Sequence, residues 1–490
     1  MVQHLPDELW LDIFESAVDD AEFFEPTLPD AFSASTCAQE GVNNAQRRSY
    51  ATKKAIMATC RTWRRLGYEF FYRFLFFSNP LNMQRLCRLL DTDSDLGHRT
   101  RRLHVIRYFD RSAPTAEVTQ NSLVSIISRC ENLETFIVNW PLAIALPAVA
   151  NALCTYTSQT LRVLQLTIPT AALAKFILLL DGLPKLESVH VEFDGPAPEQ
   201  VRLGSAGDLE LSLPCLQHLS ARGSFQDFIE QATDWNFPVL RSLSLDFTTY
   251  REDFPDVLDF LAEHGSELTT LDLNCIPPVD VAAVLDLCPL LTTFTFNPDW
   301  RLPGWDDPTA RGTHLVRSPH QHITTVGLHH LMYAFGVGYA TNYNEINPFI
   351  VQSIQRQNDA NFAALTRASF PRLARVRVLN PTLLADLEKN NGPSKAGLAR
   401  WDRWTRQCTA EGVRLEDCTG ATLGTLPEYE DEDGDEYTDD GASTVGGNTA
   451  QPIRVLRELV AECQRANAQR ELDVPTPLMR MIYTSTYGSS

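Results

Sequence analysis

Lysine is scarce in this chain, at six residues against 36 arginines. Positive charge is in deficit altogether. The net charge is −20 and the pI near 5.0, which argues against a general affinity for nucleic acid, whose phosphates demand dense Lys and Arg. Closely paired cysteines are missing too: the eleven cysteines never form C-x-x-C, and the nearest two, Cys408 and Cys418, stand ten residues apart. That spacing suits neither a zinc ribbon nor a small disulfide scaffold, and it fits buried thiols in a reducing compartment. Apolar runs are short, and none reaches the ~18 residues of a membrane span. The first twenty residues are acidic where a secretory signal would be basic and then apolar. No N-x-S/T acceptor occurs with x other than Pro. The expectation is a soluble intracellular protein, cytoplasmic or nuclear, with no membrane and no nucleic-acid partner.

What the chain does have is a repeat. In Phe237-Pro-Val-Leu-Arg-Ser-Leu-Ser-Leu-Asp-Phe247, the residues Leu240, Leu243 and Leu245 follow the turn signal Pro238 in the pattern L-x-x-L-x-L. Such a pattern puts alternate side chains of one strand on the same face. It recurs from Leu133, Leu161, Leu186, Leu216, Leu268, Leu291, Ile323 and Leu373, so that first anchors lie 28, 25, 30, 24, 28, 23, 32 and 50 residues apart. Most intervals sit at or near the 20–29-residue period of a leucine-rich repeat, whose unit is one strand and one helical return. An ordinary α/β sheet would not keep that interval. At 490 residues and 44 % hydrophobic content, one long repeat array with a packed core is well within reach. Arg101–Val105 reads as a first, degenerate strand. Ala171–Leu180 and Asp256–Ala262 carry helical returns, and a helix opening at Asn347-Pro348 would turn Phe349, Ile350, Ser353 and Ile354 to one side. A helix near Trp401–Cys408 and a last strand, Gly412–Glu416, close the array.

Ahead of the repeats, Leu5-Pro-Asp-Glu-Leu-Trp-Leu-Asp-Ile-Phe14 reads as a helix start: Pro6 suits the first turn and Asp7 and Glu8 favour the positive end of the dipole. Leu9, Ile13, Phe14 and Ala17 form one apolar stripe. A polar stretch, Asp19 to Gln46, reads as a loop of insertion length. A second helix places Ile56, Cys60 and Trp63 at i, i+4 and i+7 and leads into the aromatic run 66–77. Charge is segregated: residues 1–46 hold ten acids and no Lys or Arg, and 47–111 hold fifteen bases and five acids. Pairing within the module is the plain account of this, and a basic patch for an acidic partner the sharper one.

Taken in order, Leu-Pro-Asp-Glu-Leu-x-x-x-Ile-Phe (5–14), Cys60-Arg-Thr-Trp63 and Phe71-Tyr-Arg-x-Leu-x-Phe77 resemble the F-box of fungal (basidiomycete-type) F-box proteins with leucine-rich repeats. The insertion between the two halves, about thirty residues longer than a compact box has, departs from that family. The resemblance implies a small helical module docking on a Skp-type adaptor and through it on a cullin. Leu5, Pro6, Leu9, Ile13 and Phe14 would lie in or beside the adaptor interface, with Cys60 and Trp63 supporting it. The fold class expected is therefore α/β: a leucine-rich-repeat solenoid (95–425, with a terminal cap), an N-terminal all-helical module (1–80, insertion at 19–46), a disordered acidic linker (426–451) and a short amphipathic helix with a tail (452–490). The linker follows from nine acids in thirteen residues between Glu428 and Asp440.

Catalytic and metal-binding motifs are not found. His314, His320, His322, His329 and His330 match no ligand spacing, and Gly336-Val-Gly338 lacks the third glycine of a phosphate loop. No cofactor is called for. Instead, outward strand positions offer a binding surface for a protein target: Glu192, Arg222, Asp246, Asp272, Asn274, Asn297 and His329, alongside Gln165, Thr167, His190, Ser220, Ser244 and Thr295. The function expected is that of a non-catalytic, substrate-recruiting subunit of a Skp–cullin–F-box type ubiquitin ligase. The alternative is a repeat scaffold, unconnected with ubiquitination, whose N-terminal helices merely cap the array. Lysine scarcity would spare a ligase subunit from modification on its own amines, arginine keeping the charge and the forked hydrogen bonding; genomic base bias explains it as well.

Overall fold

A computed structural model describes residues 5–18, 36–77, 80–93, 95–106, 113–142, 144–195, 202–246, 257–274, 280–299, 315–337, 340, 348–380, 383, 393–418 and 420–422. The repeats build twelve strands: β1 (Phe74–Phe77), β2 (Arg102–Val105), β3 (Thr135–Pro141), β4 (Val163–Pro169), β5 (Ser188–Asp194), β6 (His218–Gly223), β7 (Ser242–Asp246), β8 (Thr270–Asn274), β9 (Thr293–Phe296), β10 (Thr325–Leu328), β11 (Arg375–Val378) and β12 (Arg414–Glu416). All pair in parallel, and the order in the sheet is the order in the chain. Parallel neighbours need a crossover, and helices supply it. The returns are α4 (Pro80–Thr92) with α5 (Asp95–His98), α6 (Ala113–Ile127), α7 (Leu146–Tyr156), α8 (Leu173–Asp181), α9 (Gln226–Thr233), α10 (Val257–His264) and α11 (Val281–Leu287). The result is a parallel strand–helix solenoid of the kind the repeat spacing implies.

The pattern L-x-x-L-x-L explains the register. Leu164 pairs with Val189, Leu219 with Leu243, Leu243 with Leu271, Leu271 with Phe294, and Val326 with Val376. Each anchor thus stacks on the anchor of the next repeat. Leu243, Leu245, Leu271 and Leu273 are fully buried against helix residues such as Phe228 and Phe260, and each such leucine contributes about 1.5–3 kcal/mol of burial. The end of β6 admits only glycine. Gly223 closes β6 at φ +83, and a Cβ there would lie 2.2 Å from the Phe193 carbonyl oxygen of β5.

Between β10 and β11 the return lengthens to take α12 (Met332–Phe335) and α13 (Pro348–Ala363); α14 (Lys395–Glu411) then leads to β12. In α13 the buried residues are Val351, Ile354, Asn358 and Phe362, while Phe349 is 78 % exposed, so the inward side is turned from the one expected. Arg400 of α14 is buried, donating to Asp359 at 2.9 Å and to the Ala334 carbonyl.

Among the described residues three helices precede the sheet: α1 (Asp7–Val18), α2 (Thr36–Thr59) and α3 (Arg61–Arg73). They enclose their own small core of Phe14, Val18, Ile56, Leu66 and Phe70. Three sequence expectations need correction here. The α2 helix starts at Thr36, ten residues inside the expected loop. Cys60 does not continue that helix but breaks it, in extended conformation, as the N-cap of α3. The aromatic run ends in a strand, β1, whose Phe74 and Phe77 are buried on opposite faces of the sheet, a setting that suits aromatic side chains. By its contacts the chain divides into Met1–Tyr429 and Glu430–Ser490. The expected acidic linker and C-terminal helix lie outside the described residues, as does 19–35 of the expected insertion. Among the described residues no helix is long and apolar enough to cross a membrane.

Candidate functional site

Helix α1 carries apolar residues on two sides. Phe14 and Val18 point into the three-helix core, each 2 % exposed, with Trp10 and Leu11 packed against it. The Trp63 ring from α3 closes this side, 4.7 Å from Trp10 and 5.0 Å from Phe14 between centroids. Leu5, Leu9 and Ile13 point away from that core and are 41, 45 and 46 % exposed. Leu9 and Ile13 are one helical turn apart, so they present one continuous strip with Leu5 and the exposed Pro6 at its end. The expected single stripe is therefore split: Phe14 is structural, whereas Leu9 and Ile13 are accessible. Cys60, also exposed, accepts the backbone N–H of Trp63 at 3.4 Å and so caps the helix that carries the indole.

Two ion pairs among the described residues join the acidic segment to the basic one. Asp7 pairs with Arg65, and Glu15 with Arg73 at 3.1 Å. Both pairs are largely exposed and contribute at most about 1 kcal/mol each, yet they tie both ends of α1 to α3.

The second surface is the outer face of the sheet, turned away from the helices. At its start this face is apolar and cationic: Phe74, Phe76, Arg102, His104, Ile137 and Val163 occupy outward positions. Arg102 lies over the Phe74 ring at 5.0 Å, and burial lowers its guanidinium to about 10. His104 meets Phe76 edge-on at 5.1 Å. Burial and then Arg102 push its imidazole down to about 3.

From β4 onward the face is polar, and its side chains bind one another. Thr167 donates to Glu192 at 3.2 Å, and His190 Nδ1 lies 2.8 Å from Ser220 Oγ. Arg222 pairs with Asp246 at 2.9 Å. Asn274 donates to the other Asp246 oxygen at 3.0 Å, Asn297 donates to Asn274 at 3.4 Å, and the Asp299 N–H donates to Asn297 at 3.0 Å. Asp246 thus receives a ladder from one side and Arg222 from the other. Its carboxyl is raised chiefly by burial, with Arg222 opposing. In parallel, Ser244 donates to Asp272 at 3.0 Å, and His329 reaches over β9 to the same carboxylate at 2.7 Å.

The sequence-predicted target residues therefore do come together, but not all as a free surface. Asp272 and Asn297 are 8 and 1 % exposed, enclosed among their own neighbours. Glu192, Asp246, Asn274 and His329 are half-buried, and Arg222 keeps 47 % of its side chain exposed. The histidines of the expected cluster take separate partners: His320 the Cys288 carbonyl at 3.0 Å, His329 the Asp272 carboxylate; His314 lies outside the described residues. Sequence reasoning missed His104, Asp299 and Asn358. The signal for Asp299 was available, since it stands two residues beyond the outward Asn297 in Asn-Pro-Asp.

No family model matches the chain, and no curated protein matches it. Among solved structures it is similar to one described as the crystal structure of the Rad7 and Elc1 complex in yeast. The identity is 13 %, over 74 % of this chain and 94 % of that one, with a TM-score of 0.31.

Proposed function

We propose that this chain is the target-recruiting subunit of a Skp–cullin–F-box type ubiquitin ligase. In this reading α1–α3 hold a Skp-type adaptor, the adaptor links to the cullin, and the outer face of the repeats receives a protein target. Ubiquitin transfer belongs to other subunits, in the cytoplasm or the nucleus. One observation carries the proposal: α1 has a filled inner side and, separately, an exposed strip of Leu5, Leu9 and Ile13. A helix that merely capped the array would need only the first. Three large apolar side chains left in water mark an interaction site, and buried apolar anchors of this kind dominate protein interfaces. Lysine usage fits the same role. Of the two lysines in the helical module Lys53 is buried, and none follows Lys395.

The test is binding of a purified Skp-type adaptor to the full chain and to a Leu9→Ala/Ile13→Ala variant. Each truncation removes two or three methyl or methylene groups from a half-exposed side chain. At ~0.8 kcal/mol per group buried, half realised, the pair should weaken binding by about 2 kcal/mol, or ~30-fold in Kd. Stability should scarcely change. Equal adaptor binding by the folded variant sinks the ligase reading and leaves the repeat scaffold in its place.

A further inference from the structure

Two buried acceptors that lack donors belong to one hydrogen-bonded pair of residues just beyond β9. Asp299 follows the strand by three residues, and Asn358, 1 % exposed, sits in the middle of α13. Asn358 Nδ2 donates to Asp299 Oδ1 at 2.8 Å. The other oxygens of the same two groups, Asp299 Oδ2 and Asn358 Oδ1, are both buried without a hydrogen-bond partner. An unmet buried acceptor costs about 1–3 kcal/mol, and here the two unmet atoms belong to one contact. We propose that Asp299 keeps a proton on Oδ2 in the folded protein and donates it to Asn358 Oδ1, closing an acid–amide ring that locks α13 to the segment after β9. One proton satisfies both atoms. When it leaves, the lock opens.

Burial favours the neutral acid, against the donors that face it. The groups facing Asp299 are the Asn358 amide from α13, the backbone N–H groups of Leu331 and Met332, and Asn297 beside its own strand. Of the charged or titratable side chains on those elements, Asp359 pairs with Arg400 and Arg403, His329 with Asp272, and Arg356 is exposed on α13. His330 is held neutral, its imidazole pushed down to about 4 by burial and then His329. Burial raises the Asp299 carboxyl to about 7 against an ordinary 3.8, outweighing the hydrogen bonds from the Asn358 amide and the Leu331 and Met332 N–H groups, which lower it. The ring also braces a strained turn. His330 and Leu331 take φ of 58° and 66°, a left-handed pair that L-residues adopt at a penalty.

The sign follows from linkage. If α13 detaches, Asp299 returns to its ordinary acidity, so between pH 4 and 7 the open form releases a proton that the closed form keeps. Opening should therefore become ~10-fold easier per pH unit in that window and level off above pH 7. Hydrogen exchange by mass spectrometry on the full chain, corrected for intrinsic rates, reads this in peptides covering 348–363, with α8 as the internal reference. The expected result is that slope in α13 alone. In Asp299→Asn, where a side-chain N–H permanently replaces the proton, the slope should vanish. A flat wild-type series overturns the proposal, and so does a wild-type slope retained in Asp299→Asn. Should that variant not fold, infrared spectra of the wild type decide: a protonated-carboxyl band at about pH 6 that is lost by about pH 8.5 supports the lock, and its absence at pH 6 overturns it.

Discussion

Replacing His104 with phenylalanine should make the protein more stable and less sensitive to acid. His104 is 2 % exposed, and both ring nitrogens are buried without a hydrogen-bond partner. Phenylalanine keeps the flat ring and the edge-on contact with Phe76 while removing the unmet polar atoms, for a gain of about 1–3 kcal/mol at pH 7. The acid effect comes on top. In the folded protein burial, then Arg102, holds His104 neutral down to about 3, against 6.5 for a free imidazole. A depressed histidine means that the unfolded chain takes up a proton first. Its contribution is intact above pH 6.5 and is lost as pH falls from there towards 3. At pH 5 the loss is about 1.5 pH units at 1.36 kcal/mol each, or about 2 kcal/mol. Urea unfolding followed by tryptophan fluorescence at pH 7 and pH 5 measures both parts. His104→Phe should exceed the wild type by about 1–3 kcal/mol at pH 7 and by about 3–5 at pH 5. A variant as acid-sensitive as the wild type, or less stable at both pH values, refutes the reasoning.

Phe14→Ala should destabilise the helical module by about 3–5 kcal/mol and Trp63→Ala, whose ring is only partly buried, by less, both readable in thermal unfolding, in contrast to the stability-neutral Leu9→Ala/Ile13→Ala pair. Reversing Asp246 and Asp272 to Arg should lower target capture but also loosen the sheet, since each carboxylate accepts two side-chain hydrogen bonds; breaking such an enclosed pair costs about 3–5 kcal/mol. Arg222→Ala is the milder probe: it leaves the Asn274–Asp246 bond in place and should reduce target capture in a pull-down while adaptor binding is kept, and undiminished capture would move the target site elsewhere.

Much of the fold was legible because each repeat states its own strand. The spacing of Leu133 through Leu373 located nine of the twelve strands, and Arg101–Val105 and Gly412–Glu416 a tenth and an eleventh. The strand missed, β1, is written in four residues, Phe-Leu-Phe-Phe, where no polar alternation separates a strand from the end of an aromatic helix. The candidate surfaces were legible in location and not in state. Periodicity placed Asp246, Asn274 and Asn297 on one face, yet it is silent on whether side chains so placed face water or each other. The same limit split α1. A spacing of i, i+4, i+5 gathers Leu9, Ile13 and Phe14 into one arc, and the Trp63 ring, arriving from 49 residues away, decides which part of that arc is closed.

The identity between chain order and sheet order has a consequence for how this molecule can change over generations. No strand depends on a partner that is distant in the chain, so the tether between consecutive strands is free to vary in length while the pairing on either side stays the same. The fifty-residue interval that carries α12 and α13 illustrates this: β10 and β11 are bonded residue for residue, Thr325 to Arg375 and Leu328 to Val378, just as strands joined by the shortest returns are. New surface can be added at any seam without renegotiating the rest of the array. The excursion that reaches back to Asp299 is where this chain has used that freedom.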